Sequence, residues 1–104
     1  MGMTDKSNQR LYTMGLINKI PEQLSECRLW RAVISQSISH AYLPHKRQRQ
    51  LVNNWVDTDD FIDVCDLAGV DTRMMRKNIK YILSIHPSVG REEGKKIKEL
   101  LTEK

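Results

Sequence analysis

The sequence has few residues that could cross-link the chain and no apolar stretch that could span a membrane. It has only two cysteines and three prolines, and two cysteines at no short paired spacing indicate neither a disulfide scaffold nor a compact zinc motif. No apolar run approaches the roughly 20 residues that a membrane-spanning helix needs, and the first residues lack the apolar stretch of a secretory signal. We therefore expect a protein of the reducing cytoplasm with no membrane segment.

Length and charge narrow the class further. A chain of 104 residues suffices for one compact domain and is too short for two ordinary ones. The sequence has 17 Lys and Arg against 13 Asp and Glu, which gives a formal net charge of +4. Such an excess favours polyanionic partners, above all nucleic acid, although many basic proteins bind none. We expect a flexible polar arm at residues 1–9 and a single helical domain at residues 10–104.

The apolar periodicity predicts an all-α fold, a compact bundle of about five helices. No segment alternates apolar and polar residues over a convincing strand length. The first long helix is predicted between Pro21 and Pro44, and Arg31 falls on its polar side. Its apolar stripe recurs every three or four residues, as an amphipathic helix requires, and consists of Cys27, Trp30, Ile34, Ile38 and Ala41. A shorter helix within residues 11–20 has weaker support, because Gly15 interrupts it.

Turn and capping residues divide the rest of the chain into further helices. Pro44 suits the first turn of the second helix, and the third starts near Asp59 after a cluster of capping residues. Gly69 can adopt the left-handed conformation that ends a helix, and Asp71 or Thr72 can cap the next one. The predicted elements that follow are a helix at residues 72–85, a turn at 86–90 and a helix at 91–103.

Residues 59–85 fit the physical description of a helix-turn-helix, in which two helices are joined by a short turn that contains glycine. In the second of these helices Met75, Ile79 and Ile82 form an inward stripe. The opposite face has four cations at positions i, i+3, i+4 and i+7, which are Arg73, Arg76, Lys77 and Lys80. A DNA phosphate backbone would explain such a stripe of like charges, and the solvated face of a core helix is the alternative.

An α-helix fits the major groove, and Thr72 and Arg73 at the start of this helix would point at base edges. A second basic run, Lys46-Arg47-Gln48-Arg49, is either another phosphate-contacting patch or a solvated helix start. The candidate DNA-binding residues are therefore Thr72, Arg73, Arg76, Lys77, Lys80, Lys46, Arg47 and Arg49.

A tryptophan, a phenylalanine and a valine-cysteine-x-x-alanine-glycine run resemble a pattern of small phage, prophage and bacterial proteins with a helix-turn-helix. The residues concerned are Trp55, Phe61 and residues 64–69. The resemblance implies a DNA-binding regulator of phage or mobile-element type, whose DNA contacts would be Thr72, Arg73, Arg76 and Lys77. The sequence departs from the pattern at Asn78, where an aliphatic residue is usual, and at Cys65, where alanine is commonest.

Other chemistries find less support. The histidines and cysteines form no paired motif, so we expect neither a metal nor a cofactor. The five aspartates between Asp57 and Asp66 suit helix caps and a solvated face better than the metal site of a nuclease. No nucleophile motif surrounds Cys65, which we expect to be a buried, unreactive thiol. We do not expect an enzyme or a small-molecule substrate.

Two functions stay open from the sequence. The first is a sequence-specific double-stranded DNA-binding protein that regulates transcription, and its long first helix is apolar enough to serve both the core and a homodimer interface. The alternative is a protein-binding module, such as a phage-encoded inhibitor of a host factor. Salt-dependent binding to a defined duplex would separate the two.

Overall fold

The longest of the described helices, α1, lies at the centre of the fold. The computed structural model describes residues 11–17 and 24–102, and α1 spans Leu24–Tyr42. Four helices follow within the described residues, namely α2 (Lys46–Trp55), α3 (Asp59–Ala68), α4 (Thr72–Ser84) and α5 (Pro87–Thr102). All four contact α1. The prediction of a compact all-α bundle of five helices is confirmed, whereas the arm predicted at residues 1–9 lies outside the described residues.

The core forms where the apolar stripe of α1 meets the inner faces of the other helices. Four of the five residues predicted for this stripe are buried, and Trp30 is partly buried against the core. Phe61 of α3 is fully buried, and its ring meets Trp55 edge to face with centroids 5.0 Å apart. Edge-to-face pairing adds to the free energy gained by burial alone. The Trp55–Phe61 pair therefore joins the end of α2 to α3.

Arg31 shows that the predicted polar side of α1 is wrong at one position. Its side chain is only 5% exposed, and its Nε donates a hydrogen bond of 2.8 Å to the carbonyl oxygen of Ala68. The Cys27 thiol donates to the same oxygen at 3.0 Å. The last carbonyl groups of a helix have no partner within that helix. The buried carbonyl group at the end of α3 therefore has its hydrogen-bond donors in α1.

The turn predicted at residues 86–90 is also wrong, because α5 begins at Pro87. Proline suits the first turn of a helix since it has no N–H to leave unpaired, and Nδ1 of His86 accepts a bond of 3.1 Å from the Ser88 amide. A Cβ atom on Gly94 would lie 2.9 Å from Cε2 of Tyr42. A Cβ atom on Gly90, the last residue of the predicted turn, would lie 3.1 Å from Cβ of Tyr42. Both glycines allow α5 to pack closely against α1, so Gly90 marks a helix contact and not a loop.

Residues 11–17 form no helix, contrary to the weaker expectation for that segment. Gly15 has a positive φ of 84°, which ordinary residues rarely adopt. Leu16 is fully buried, and Ile17 makes an isolated antiparallel bridge with Val70. The segment 11–17 therefore packs beside the turn between α3 and α4 and has a turn of its own, in which the Leu16 amide donates to the Thr13 carbonyl oxygen.

The predicted place of Pro44 in the first turn of α2 is also wrong. Pro44 lies before α2, since that helix begins at Lys46.

Replacing Phe61 by alanine tests this core. The side chain is fully buried, so its loss should lower the free energy of unfolding by about 3 to 5 kcal/mol. The neighbouring Ile62 is 43% exposed, and Ile62→Ala should cost less than about 1 kcal/mol. Urea denaturation followed by circular dichroism measures both. Equal losses in the two variants would contradict the orientation of α3.

Candidate nucleic-acid interface

Residues 59–84 form two helices joined by a three-residue turn. The hydroxyl oxygen of Thr58 accepts a bond from the Phe61 amide at the start of α3. α3 ends at Gly69, whose φ of 71° and ψ of 36° are left-handed. The Asp71 carboxylate accepts a bond of 2.9 Å from the Met74 amide at the start of α4. The predicted roles of Gly69 and Asp71 are therefore confirmed.

The turn itself is buried and is held from a distant part of the chain. Gly69 and Val70 are buried, and the amide of Val70 donates to the Cys65 carbonyl oxygen at 2.9 Å. The amide of Asp71 donates to the carbonyl oxygen of Leu16 at 2.7 Å. These bonds satisfy backbone groups that burial would otherwise leave unpaired. They fix the direction in which α4 leaves the turn.

The inner face of α4 includes the residue at which the sequence departed from the resembling pattern. Asn78 is fully buried. Its Oδ1 accepts a bond of 2.6 Å from the Tyr12 amide, and its Nδ2 donates one of 2.9 Å to the Tyr12 carbonyl oxygen. An aliphatic side chain could not satisfy these two backbone groups. The predicted inward stripe of Met75, Ile79 and Ile82 is confirmed, and Asn78 belongs to it.

Arg76 does not belong to an exposed stripe, and that part of the prediction is wrong. Its Nε donates a bond of 2.7 Å to the Val56 carbonyl oxygen, and its guanidinium lies over the Phe61 ring, 5.6 Å from the centroid. The side chain is 32% exposed. The carbonyl oxygen at the end of α2 and the face of an aromatic ring are both good partners for a cation. Arg76 therefore fixes the position of α4 against α2.

Lys80 is exposed enough to meet a ligand but has partners within the protein. Its Nζ lies 2.9 Å from Oδ1 of Asn53 and 2.9 Å from Oδ2 of Asp57. The Nε of Arg76 is a second neighbour of this carboxylate, 3.9 Å from Oδ1 of Asp57. The Asp57 side chain is 57% exposed. Exposed ion pairs contribute at most about 1 kcal/mol. A phosphate could therefore displace the Asp57 carboxylate from Lys80 at small cost.

Arg73 and Lys77 have the outward position that the sequence predicted. Both are exposed, and in the described part of the chain no ion pair joins either of them to a carboxylate. The ammonium of Lys77 lies 5.1 Å from the centroid of the Tyr12 ring. Thr72, at the start of the helix, is partly buried. The first half of α4 thus presents two cations to a partner.

A groove between α2 and α4 brings the two predicted basic patches together. Lys46 and Arg49 of α2 and Lys80 of α4 line it, and its volume is about 460 Å³. We call it the basic groove. Arg47 is exposed on α2 but does not line the groove. The basic groove and the outward cations of α4 form one positively charged side of the molecule, interrupted by Asp57.

Three residues that shape this side were missed by sequence analysis as interface residues. Asn53 and Asp57 hold Lys80, and Tyr12 lies beneath Lys77. Asp57 appeared only as one of several capping residues, although the hydroxyl of Thr58 provides the cap. The pairing of Tyr12 with α4 joins positions 66 residues apart, and no local pattern indicates it.

Comparison with protein-family models, curated proteins and solved structures finds no match to this chain. Within residues 11–17 and 24–102, no three His, Cys, Asp or Glu side chains come together as metal ligands. None of the described helices is long and apolar enough to cross a membrane. The function has to be inferred from the chemistry of the basic side.

Cys65 lies under the turn and is fully buried. Burial raises the pKa of its thiol from the usual 9.0 to about 12, although the Thr72 side chain and the charge of Arg76 act in the opposite direction. The thiol is therefore protonated at neutral pH, and a protonated, inaccessible thiol is a poor nucleophile. The position fits the packing role that the sequence predicted.

The raised pKa of Cys65 makes stability depend on pH. Between pH 9 and 12 the unfolded thiol loses its proton and the folded thiol keeps it, so its contribution is complete below this range and falls as pH rises. Compared with Cys65→Ala, the wild type should lose about 1 kcal/mol of unfolding free energy between about pH 8 and pH 10. The rest of the sequence is the same in both proteins, so the comparison isolates the contribution of Cys65. Urea titrations at the two pH values measure the difference, and parallel profiles would contradict the burial of Cys65.

Proposed function

We propose that the protein is a sequence-specific double-stranded DNA-binding protein, a transcriptional regulator of phage or mobile-element type that acts in the cytoplasm and is not an enzyme. The observation that supports it most is the continuity of cations from the outward face of α4 into the basic groove. Arg73 and Lys77 lie on the outward face, and Lys46, Arg49 and Lys80 line the groove. A net charge of +4 agrees with a polyanionic partner.

In this proposal the two sets of cations have different tasks. α4 enters the major groove, where Arg73 can donate two hydrogen bonds to a guanine edge and Lys77 lies one turn further along. The residues that bind phosphates are Lys46, Arg47, Arg49 and Lys80. Such contacts position the helix without selecting a sequence. Arg76 is assigned no base contact, because its Nε bond to the Val56 carbonyl oxygen and the Phe61 ring under its guanidinium hold the side chain against the protein. It keeps α4 in place.

A specific observation also favours a protein partner. Leu29 of α1 and the α3 residues Ile62 and Leu67 are each more than 40% exposed, and α1 packs against α3. Exposed apolar side chains on neighbouring helices suit a homodimer interface or a host factor bound by an inhibitor. Analytical ultracentrifugation at several concentrations tests the homodimer directly.

DNA binding should depend steeply on salt. Four to six phosphate contacts per protomer give a slope of roughly −4 to −5 when the logarithm of the binding constant is plotted against the logarithm of the salt concentration. Fluorescence polarisation with a pool of random duplexes measures it.

Arg73→Ala should weaken binding to the selected sequence by about 1 to 3 kcal/mol and change the preferred bases. Lys95→Ala removes an exposed cation from α5 and serves as the matched control.

Lys46→Ala should weaken all sequences alike and make the salt slope smaller by about one. If Lys46→Ala changes the preferred bases and Arg73→Ala does not, α4 is not the recognition helix. If the wild type binds no duplex at about 50 mM salt, where phosphate contacts are strongest, the protein-binding alternative replaces the regulator.

Asp57→Asn should strengthen DNA binding. The substitution removes the carboxylate that lies 2.9 Å from Lys80 Nζ and would repel a phosphate in the basic groove. Because an exposed pair of this kind contributes at most about 1 kcal/mol, we expect a gain of about two- to fivefold in affinity. Glu99→Gln changes the net charge equally on the exposed face of α5. An equal gain in both variants would mean that only net charge matters.

A further inference from the structure

A second cavity lies away from the basic side. It opens between the first half of α1 and the end of α5, and its volume is about 450 Å³. Arg28, Arg31 and Ser35 contribute charged and polar groups to its wall, and Ala32 and Leu101 contribute apolar ones. Both the volume and the mixture of apolar wall and few polar groups are those of small-molecule sites.

Arg31 is the unusual member of this wall. It is 95% buried, since only 5% of its side chain is exposed, and its Nη2 is buried without a hydrogen-bond partner. Its Nε is already used by the Ala68 carbonyl oxygen. Among the described residues, no carboxylate lies within ion-pair distance of this guanidinium. A buried cation with an unused donor is unfavourable unless an acceptor reaches it.

We propose that this cavity binds a small organic carboxylate. The carboxylate accepts hydrogen bonds from Arg31, since a guanidinium and a carboxylate match in geometry and charge. Arg28, which is exposed at the cavity, attracts the anion. The apolar body of the ligand packs against Ala32 and Leu101. A monoanion with an apolar body satisfies both parts of this wall, whereas a free inorganic ion would leave the apolar part uncovered.

The same guanidinium connects the cavity to the turn between α3 and α4. Arg31 Nε is bonded to the carbonyl oxygen of Ala68, the residue directly before Gly69. An acceptor placed on the other nitrogens of Arg31 therefore polarises a group that touches this turn. The Arg31 Nε–H and the Gly69 amide are nuclei whose chemical shifts should report binding, whether or not the protein binds DNA.

An NMR titration of the full chain with hexanoate and benzoate tests the proposal. Each shift of the Arg31 Nε–H and the Gly69 amide should saturate with increasing carboxylate. Hexanol, which has the same chain without the charge, should leave the Arg31 Nε–H unchanged. If neither carboxylate produces a saturable shift, or if hexanol produces the same one, the proposal is wrong.

Ala32→Trp provides the complementary test, because it fills the cavity from an exposed position and leaves Arg31 in place. It should raise the dissociation constant of the bound carboxylate at least about tenfold. Asn54→Trp on α2 is the control, since Asn54 is exposed and does not line the cavity. Unchanged affinity in a folded Ala32→Trp variant would overturn the site.

Discussion

The buried turn between α3 and α4 requires partners for backbone groups that neither helix can satisfy. The Ala68 carbonyl oxygen receives two donors from α1, the Nε of Arg31 at 2.8 Å and the thiol of Cys27 at 3.0 Å. The Asp71 amide finds its acceptor in Leu16, at 2.7 Å. Unpaired buried backbone groups cost about as much as a lost hydrogen bond each. The central position of α1 and the path of residues 11–17 both follow from this requirement.

The position of α4 depends on two further polar contacts of the same kind. Asn78 bonds to both backbone groups of Tyr12, and Arg76 bonds to the carbonyl oxygen of Val56. Each polar side chain pairs a different segment with α4, so the helix is fixed in rotation as well as in direction. The consequence for function is that the cations of α4 are not equivalent. Arg76 is committed to the fold, while Arg73 and Lys77 face outward.

Much of this fold could be predicted from the sequence because its signals are local. Thr58, Gly69 and Asp71 act within a few residues of their own position, and the α3–turn–α4 boundaries follow from them. The burial of Arg31 could not be predicted, because the carbonyl oxygen that its Nε bonds to belongs to a residue 37 positions away in the sequence. Gly90, at the end of the predicted turn, was misleading for a related reason. A glycine that permits a close helix contact looks the same in sequence as one that ends a helix.

The sequence identified the basic residues of the candidate site but not how they lie relative to one another. The basic runs of α2 and α4 were recognised, and the structure brings Lys46, Arg49 and Lys80 to one groove. Their mutual position depends on how α2 packs against α4, which periodicity alone does not determine. The same is true of Asp57, whose carboxylate reaches Lys80 because the end of α2 lies beside α4.

Because Arg76 is committed to the fold, only Arg73 and Lys77 are left on the outward face of α4 to contact bases. This limits how a DNA-binding protein of this size could select a sequence. Two outward side chains that each discriminate by about 1 to 3 kcal/mol give roughly 2 to 6 kcal/mol in total. Specific binding usually exceeds nonspecific binding by about 4 to 10 kcal/mol. One protomer would therefore reach only the lower part of that range. Two copies on a two-fold symmetric site would double the number of base contacts, which gives the exposed apolar side chains of α1 and α3 a role consistent with the proposed function.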